Sequence, residues 1–112
     1  MLSVIHFALR QHRVGILPVA TLGRCVCRHG LHPDSLEHFR GMRVRVYPHD
    51  DPDGRSYENT VLLSRQLEQL DCEVDVFIFK GLRKRNGGRI KDLNDCTEIS
   101  PEQSHKLEEL FP

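Results

Sequence analysis

The 112-residue sequence contains no tryptophan, two tyrosines and five phenylalanines. That scarcity argues against a broad base-stacking platform of the kind single-strand binders build from aromatic side chains. Charge of one sign is not in excess, because 16 Lys+Arg balance 16 Asp+Glu. This excludes a wholesale basic coat for nucleic acid and an acidic solvating tail. Any charge-based function must come from local segregation. Long hydrophobic runs are missing too. The first, Leu2 to Leu9, is broken by Ser3 and His6 and is far too short to span a bilayer. No basic residue precedes it, so it makes a poor signal peptide and no membrane association is expected. Cysteines 25, 27, 72 and 96 lack disulfide-framework spacing and read as reduced thiols of a cytoplasmic protein. Repeats, low-complexity tracts and linkers are also missing, and the length suits a single domain, 1–112, with one modest core.

What is there alternates between two periods. Leu2–Gln11 suits a helix with Leu2, Ile5 and Leu9 on one face. Gly15 breaks it, and residues 16–20 (Ile-Leu-Pro-Val-Ala) resemble a short strand. The stretch 21–30 is irregular. His32-Pro33-Asp34-Ser35 opens a short helix through Phe39 that Gly41 closes. Met42, Val44 and Val46 then alternate with Arg43, Arg45 and Tyr47, which is strand period. A polar turn covers 48–54, and 55–70 runs at helix period with Leu63, Leu67 and Leu70 on one stripe. The next strand is 74–79. Ser100-Pro101-Glu102-Gln103 has the form of a capping box, so a last helix is expected to about Leu110. This alternation predicts an α/β fold with a mainly parallel sheet of three strands, 16–20, 42–47 and 74–79. The turn at 48–54 and the loop at 80–95 both leave C-terminal strand ends. They are expected to face each other across one site.

The turn reads Tyr47-Pro48-His49-Asp50-Asp51-Pro52-Asp53-Gly54-Arg55. Three carboxylates within four residues repel unless something compensates, and a hard cation such as Mg²⁺ prefers carboxylate oxygen. The bland reading makes Asp50 a solvated turn residue and Asp53 a helix cap. The sequence favours a cap for Asp53 and a functional role for Asp51. The loop after the third strand holds six of the 16 basic residues, at 80, 83, 84, 85, 89 and 91, with no acid among them. Its paired glycines permit close backbone approach to a ligand, and Asp92 and Asp95 stand at its end. The bland reading there is a solvated hairpin followed by ordinary turn and capping aspartates.

Taken together, Leu17-Pro18-Val19-Ala20-Thr21-Leu22-Gly23, then Val44 through Gly54, the helix with Leu63-Ser-Arg-Gln-Leu67, and Lys91-Asp92-Leu93-Asn94-Asp95 resemble the Toprim domain of topoisomerases and primases. The likeness runs from about Gly15 to Asp95, and is greatest to primase-like replication proteins of phages and mobile elements. It implies a Toprim-like (Rossmann-like) three-layer sandwich. It also implies an Mg²⁺ (or Mn²⁺) site on Asp51, Asp53, Asp92 and Asp95, and a role in DNA replication or primer synthesis through phosphodiester chemistry. In the preferred register His49 replaces the first aspartate of the family's D-x-D-x-x-G pattern, with Asp51 as the second and Gly54 as the glycine. His49 is therefore a further candidate for the site. Placing Asp51 and Asp53 on the pair instead leaves Ser56 where glycine belongs. Arg83, Lys84, Arg85, Arg89 and Lys91 would contact phosphates of DNA or nucleotides.

The family's first strand and its Glu-Gly motif have no counterpart, since no carboxylate precedes Asp34. Either the chain begins inside the family's fold or the protein naturally lacks that strand. The resemblance thus implies weak or absent catalysis by the chain alone, with primase-like nucleotidyl transfer if it is active. The alternative is a non-catalytic nucleic-acid-binding or assembly remnant of the fold. Another replication protein or a homodimer would then cover the open sheet edge. A receiver-like phosphoacceptor ranks behind both, because the acids follow a later strand and precede glycine. Cys25, Cys27, His29 and His32 match none of the usual structural zinc spacings, and Gly87-Gly88 is no P-loop because no G-K-[ST] follows.

Overall fold

The computed structural model describes residues 2–12, 15–19 and 31–111. The chain divides into two compact units, one made of residues 21–78 and one of residues 1–20 together with 79–112. Helix α1 (Leu2–Arg10) belongs to the second of these. Phe7 and Ala8 are buried there, whereas Leu9, expected on the buried face, is 71% exposed.

Residues 16–19 are not a strand, and Ala20 lies outside the described residues. Pro18 has no N–H to give a ladder, Gly15 turns the chain at φ 74°, and Leu17 and Val19 remain exposed. The segment 21–30, with Cys25, Cys27 and His29, also lies outside the described residues.

The contiguous unit is a β-α-β arrangement with a short helical entry. Helix α2 (Pro33–Leu36) starts at His32, whose Nδ1 accepts the Asp34 N–H, and continues as a 3-10 turn over Glu37–Phe39. Gly41 ends it at φ 70° and donates to the Leu70 carbonyl. Strand β1 (Arg43–Val46), helix α3 (Arg55–Glu68) and strand β2 (Glu73–Val76) follow. The strands pair in parallel, with Val44 on Val74, Arg45 on Asp75 and Val46 on Val76. Among the described residues the sheet has these two strands, not the three expected. The second is shorter than 74–79, although Phe77 N–H still donates to the Val46 carbonyl. The result is a small α/β fold.

Period-two alternation gives the sheet two unlike faces. Val44, Val46 and Val74 pack against a core of Leu36, Leu63, Leu67 and Cys72. On the other face the cross-strand partners are ions. Arg45 donates through Nε and Nη2 to both oxygens of Asp75, each at 2.7 Å. The fork holds the Asp75 carboxyl below its usual range. Beyond it Tyr47 lies against Phe77, and burial pushes its hydroxyl up to about 12. No described helix is long and apolar enough to cross a membrane.

In the discontinuous unit Phe79, Ile90, Cys96 and Leu110 are almost wholly buried. A 3-10 helix spans Asn94–Glu98 and another Pro101–Glu109. The Gln11 amide donates to the Leu107 carbonyl at 2.5 Å, tying the first segment of this unit to its last. The capping box expected at Ser100 does not form. Ser100 N–H donates instead to the Arg83 carbonyl, because Lys84 and Ile99 are bridge partners. The Gln103 amide is drawn to the same loop, accepting the Arg83 N–H at 2.7 Å and donating to the Gly81 carbonyl at 3.0 Å.

Candidate functional site: an acidic turn and a basic hairpin

The acidic turn leaves the C-terminal end of β1. Gly54 is the N-cap of α3 at φ 70°, a left-handed backbone that glycine adopts without strain. Its N–H donates to the Asp51 carbonyl. Each carboxylate of the turn already has a partner. Asp53 accepts the Arg55 N–H at 3.1 Å from the position before the N-cap, which is Gly54 and not Asp53. Asp51 accepts the Ser56 hydroxyl at 2.7 Å, and Asp50 accepts the Tyr57 hydroxyl at 3.2 Å. His49 is exposed. Ser56 and Tyr57 are not foreseen from the sequence as partners of these carboxylates. Their signal was available, since the first turn of a helix that follows a tight turn brings hydroxyls back toward it.

The basic loop is a short hairpin. Lys84 N–H donates to Gly88, Gly87 N–H donates back to Lys84, and Ile90 N–H reaches Leu82. Arg85, Asn86 and Gly87 form the three-residue loop, with Gly87 at φ 83°, the left-handed position such loops need. Gly88 N–H donates to Asn86 Oδ1, and a Cβ on Gly88 would meet that oxygen at 3.0 Å. Both glycines are thus accounted for by the turn itself.

The five candidate phosphate ligands divide into two sets. Lys84 is directed inward, its Nζ 3.3 Å from Asp95 and 3.5 Å from Glu98, and these partners hold its ammonium above the usual lysine range. Arg83, Arg85, Arg89 and Lys91 are exposed. Arg83 and Arg89 are antiparallel bridge partners, so two guanidinium side chains leave directly opposed positions. Like charges so placed destabilise a hairpin.

Asp92 and Asp95 build the exit from the hairpin. Asp92 accepts the Asp95 N–H at 2.9 Å, opening the 3-10 helix, and Asp95 accepts the Lys91 N–H at 3.0 Å beside Lys84. Burial alone would raise the Asp95 carboxyl. The Lys91 N–H and the Lys84 ammonium outweigh it, so the carboxyl lies below its usual range. Below it Cys96 is buried, and its thiol is pushed up to about 12 by burial and by the two aspartates. Glu98 carried no sequence signal and Gln103 only that of a capping box, because both act on residues far away in the chain.

Asp51 and Asp53 stand in the contiguous unit, Asp92 and Asp95 in the discontinuous one. Within each unit, no three His, Cys, Asp or Glu side chains among the described residues gather as a metal-holding group. The chain matches no protein-family model, no curated protein and no solved structure.

Proposed function

We propose that this chain is a Toprim-like module that binds nucleic acid or nucleotide polyphosphate through the hairpin 83–89, without catalysis of its own. One observation carries the reading: Arg83 and Arg89 oppose each other across a hairpin with Arg85 in its loop. A polyanion laid across them meets three exposed guanidinium groups on one short hairpin. Lys84, Asp95, Glu98 and Gln103 act as the frame that holds the arginines in place. The Toprim likeness rests on the order of the residue motifs. Anisotropy of a labelled single-stranded oligonucleotide tests the reading. The whole chain should bind with a dissociation constant on the order of 10⁻⁴–10⁻⁶ M, weakening steeply with salt. The triple variant Arg83→Ala, Arg85→Ala, Arg89→Ala should bind at least about tenfold more weakly. Its log–log salt slope should be flatter by about 2, from ~0.7 per phosphate contact. Equal affinity and slope in both proteins would remove the proposal.

A second reading, Mg²⁺-dependent primase-like chemistry, is favoured by the position of Asp51 just past the end of a parallel strand, where α/β folds place ligands. Carboxylate oxygen is the right donor type for Mg²⁺. Asp51 is such a carboxylate at that strand end, bonded by the Ser56 hydroxyl. Asp95 fits that role poorly, because the Lys84 ammonium already neutralises it. Mn²⁺ titration should therefore broaden amide resonances of 49–54 before those of 91–95. Broadening confined to other segments would exclude Asp51 as a ligand.

A further inference from the structure

Helix α3 has one face in the core and one in water. Its exposed residues are Arg55, Glu58, Val61, Leu62, Arg65 and Glu68. Val61 is 49% and Leu62 43% exposed, two large apolar side chains at the middle of an otherwise charged stripe. Glu58, Arg65 and Glu68 make no side-chain ion pair among the described residues, and Arg55 reaches Asp53 only at 4.0 Å.

The order along the stripe is self-complementary. Reversing it exchanges Arg55 with Glu68, Glu58 with Arg65 and Val61 with Leu62, so each cation is replaced by an anion and each apolar residue by the other. Helical geometry puts Glu58 and Arg65 roughly 10° to either side of the stripe's midline, and Val61 and Leu62 roughly 50° to either side of it. We infer that this face is a docking surface for a second copy of the chain. The two α3 helices would lie antiparallel about a two-fold axis between Val61 and Leu62.

Such an axis makes the contact isologous. Val61 meets Val61 and Leu62 meets Leu62 on the two flanks of the midline, and Glu58 meets Arg65 on both sides of the apolar centre. Arg55 and Glu68 lie roughly 70° to opposite sides of the midline, at the edges of the contact. A parallel arrangement would oppose Glu58 to Glu58 and Arg65 to Arg65, which like-charge repulsion disfavours. The helix is short, about 21 Å, so the contact falls at the small, transient end of specific interfaces. A dissociation constant on the order of 10⁻⁴ M follows.

Sedimentation equilibrium of the full chain tests this. The wild type should associate to a dimer with that constant. Glu58→Arg alone, or Arg65→Glu alone, places like charges at two symmetric contacts and should weaken self-association at least about tenfold. Mixed one to one, the two variants should form a heterodimer of wild-type strength, because both contacts between positions 58 and 65 become complementary again. The double variant in one chain should behave as wild type. A wild type that stays monomeric at millimolar concentration overturns the inference. So do single variants that associate like wild type, or a mixture that fails to associate.

Discussion

Replacing Leu67 with alanine should cost about 3 kcal/mol, within the range for truncating a buried leucine. Leu67 is 1% exposed and lies in the cluster of Leu36, Leu63 and Cys72 beneath Val44, Val46 and Val74. The sheet there has only two described strands, so few other side chains can move in to fill the cavity. The midpoint of a thermal melt followed by circular dichroism should fall by roughly 10–15 °C. Leu62→Ala is the control on the same helix, at 43% exposure. It should shift the midpoint little, as surface substitutions do. Equal shifts would mean that the two faces of α3 are assigned wrongly.

Asp95→Ala should destabilise the chain by about 2 kcal/mol, in the presence of a metal chelator. The change removes an acceptor from the Lys91 N–H and a counter-ion from Lys84, and hydrogen bonds to charged groups contribute about 1.5–3 kcal/mol. The sign separates two roles. A carboxylate kept for a cation would be relieved of repulsion from Asp92 when removed without metal, and stability would hold or rise. A carboxylate that serves as a staple makes stability fall. The pH dependence has a definite direction. The folded carboxyl lies below its unfolded value, so its contribution is complete above about pH 4 and is lost as pH falls through the folded value. The gap between wild type and Asp95→Ala in urea unfolding should therefore close in acid. A gap that widens there would contradict the staple.

The sequence made the middle of the chain readable because its signals are local. Val44 and Val46 alternate with Arg43 and Arg45, and only a half-buried strand has that period. Leu63 and Leu67 are four apart and both entered the core. Gly54 sat where the chain needed a left-handed residue to start α3. The parallel pairing followed from the helix between two strands. Elsewhere the deciding partner is distant. Lys84 resembled its neighbours in a basic run, and only Asp95 and Glu98, brought beside it by folding, set it apart. Gln103 had the spacing of a capping box, but the bridge between Lys84 and Ile99 offered its amide better partners at Gly81 and Arg83. Residues 16–19 were apolar enough for a strand, yet Pro18 could not complete a ladder. The acidic turn was visible as a cluster, while the Ser56 and Tyr57 hydroxyls that bond its carboxylates were not.

The division of the chain also orders its synthesis. Residues 21–78 are contiguous, so α3 and both strands are synthesised before residues 79–112 of the other unit. The Gln11–Leu107 hydrogen bond closes a loop that contains the whole β-α-β arrangement. Loop-closure entropy grows only logarithmically with length, about 0.6 kcal/mol per doubling. The discontinuous unit, with the basic hairpin and its aspartate staple, is thus completed after the contiguous one. The arginine surface comes into being only when synthesis of these residues is nearly complete.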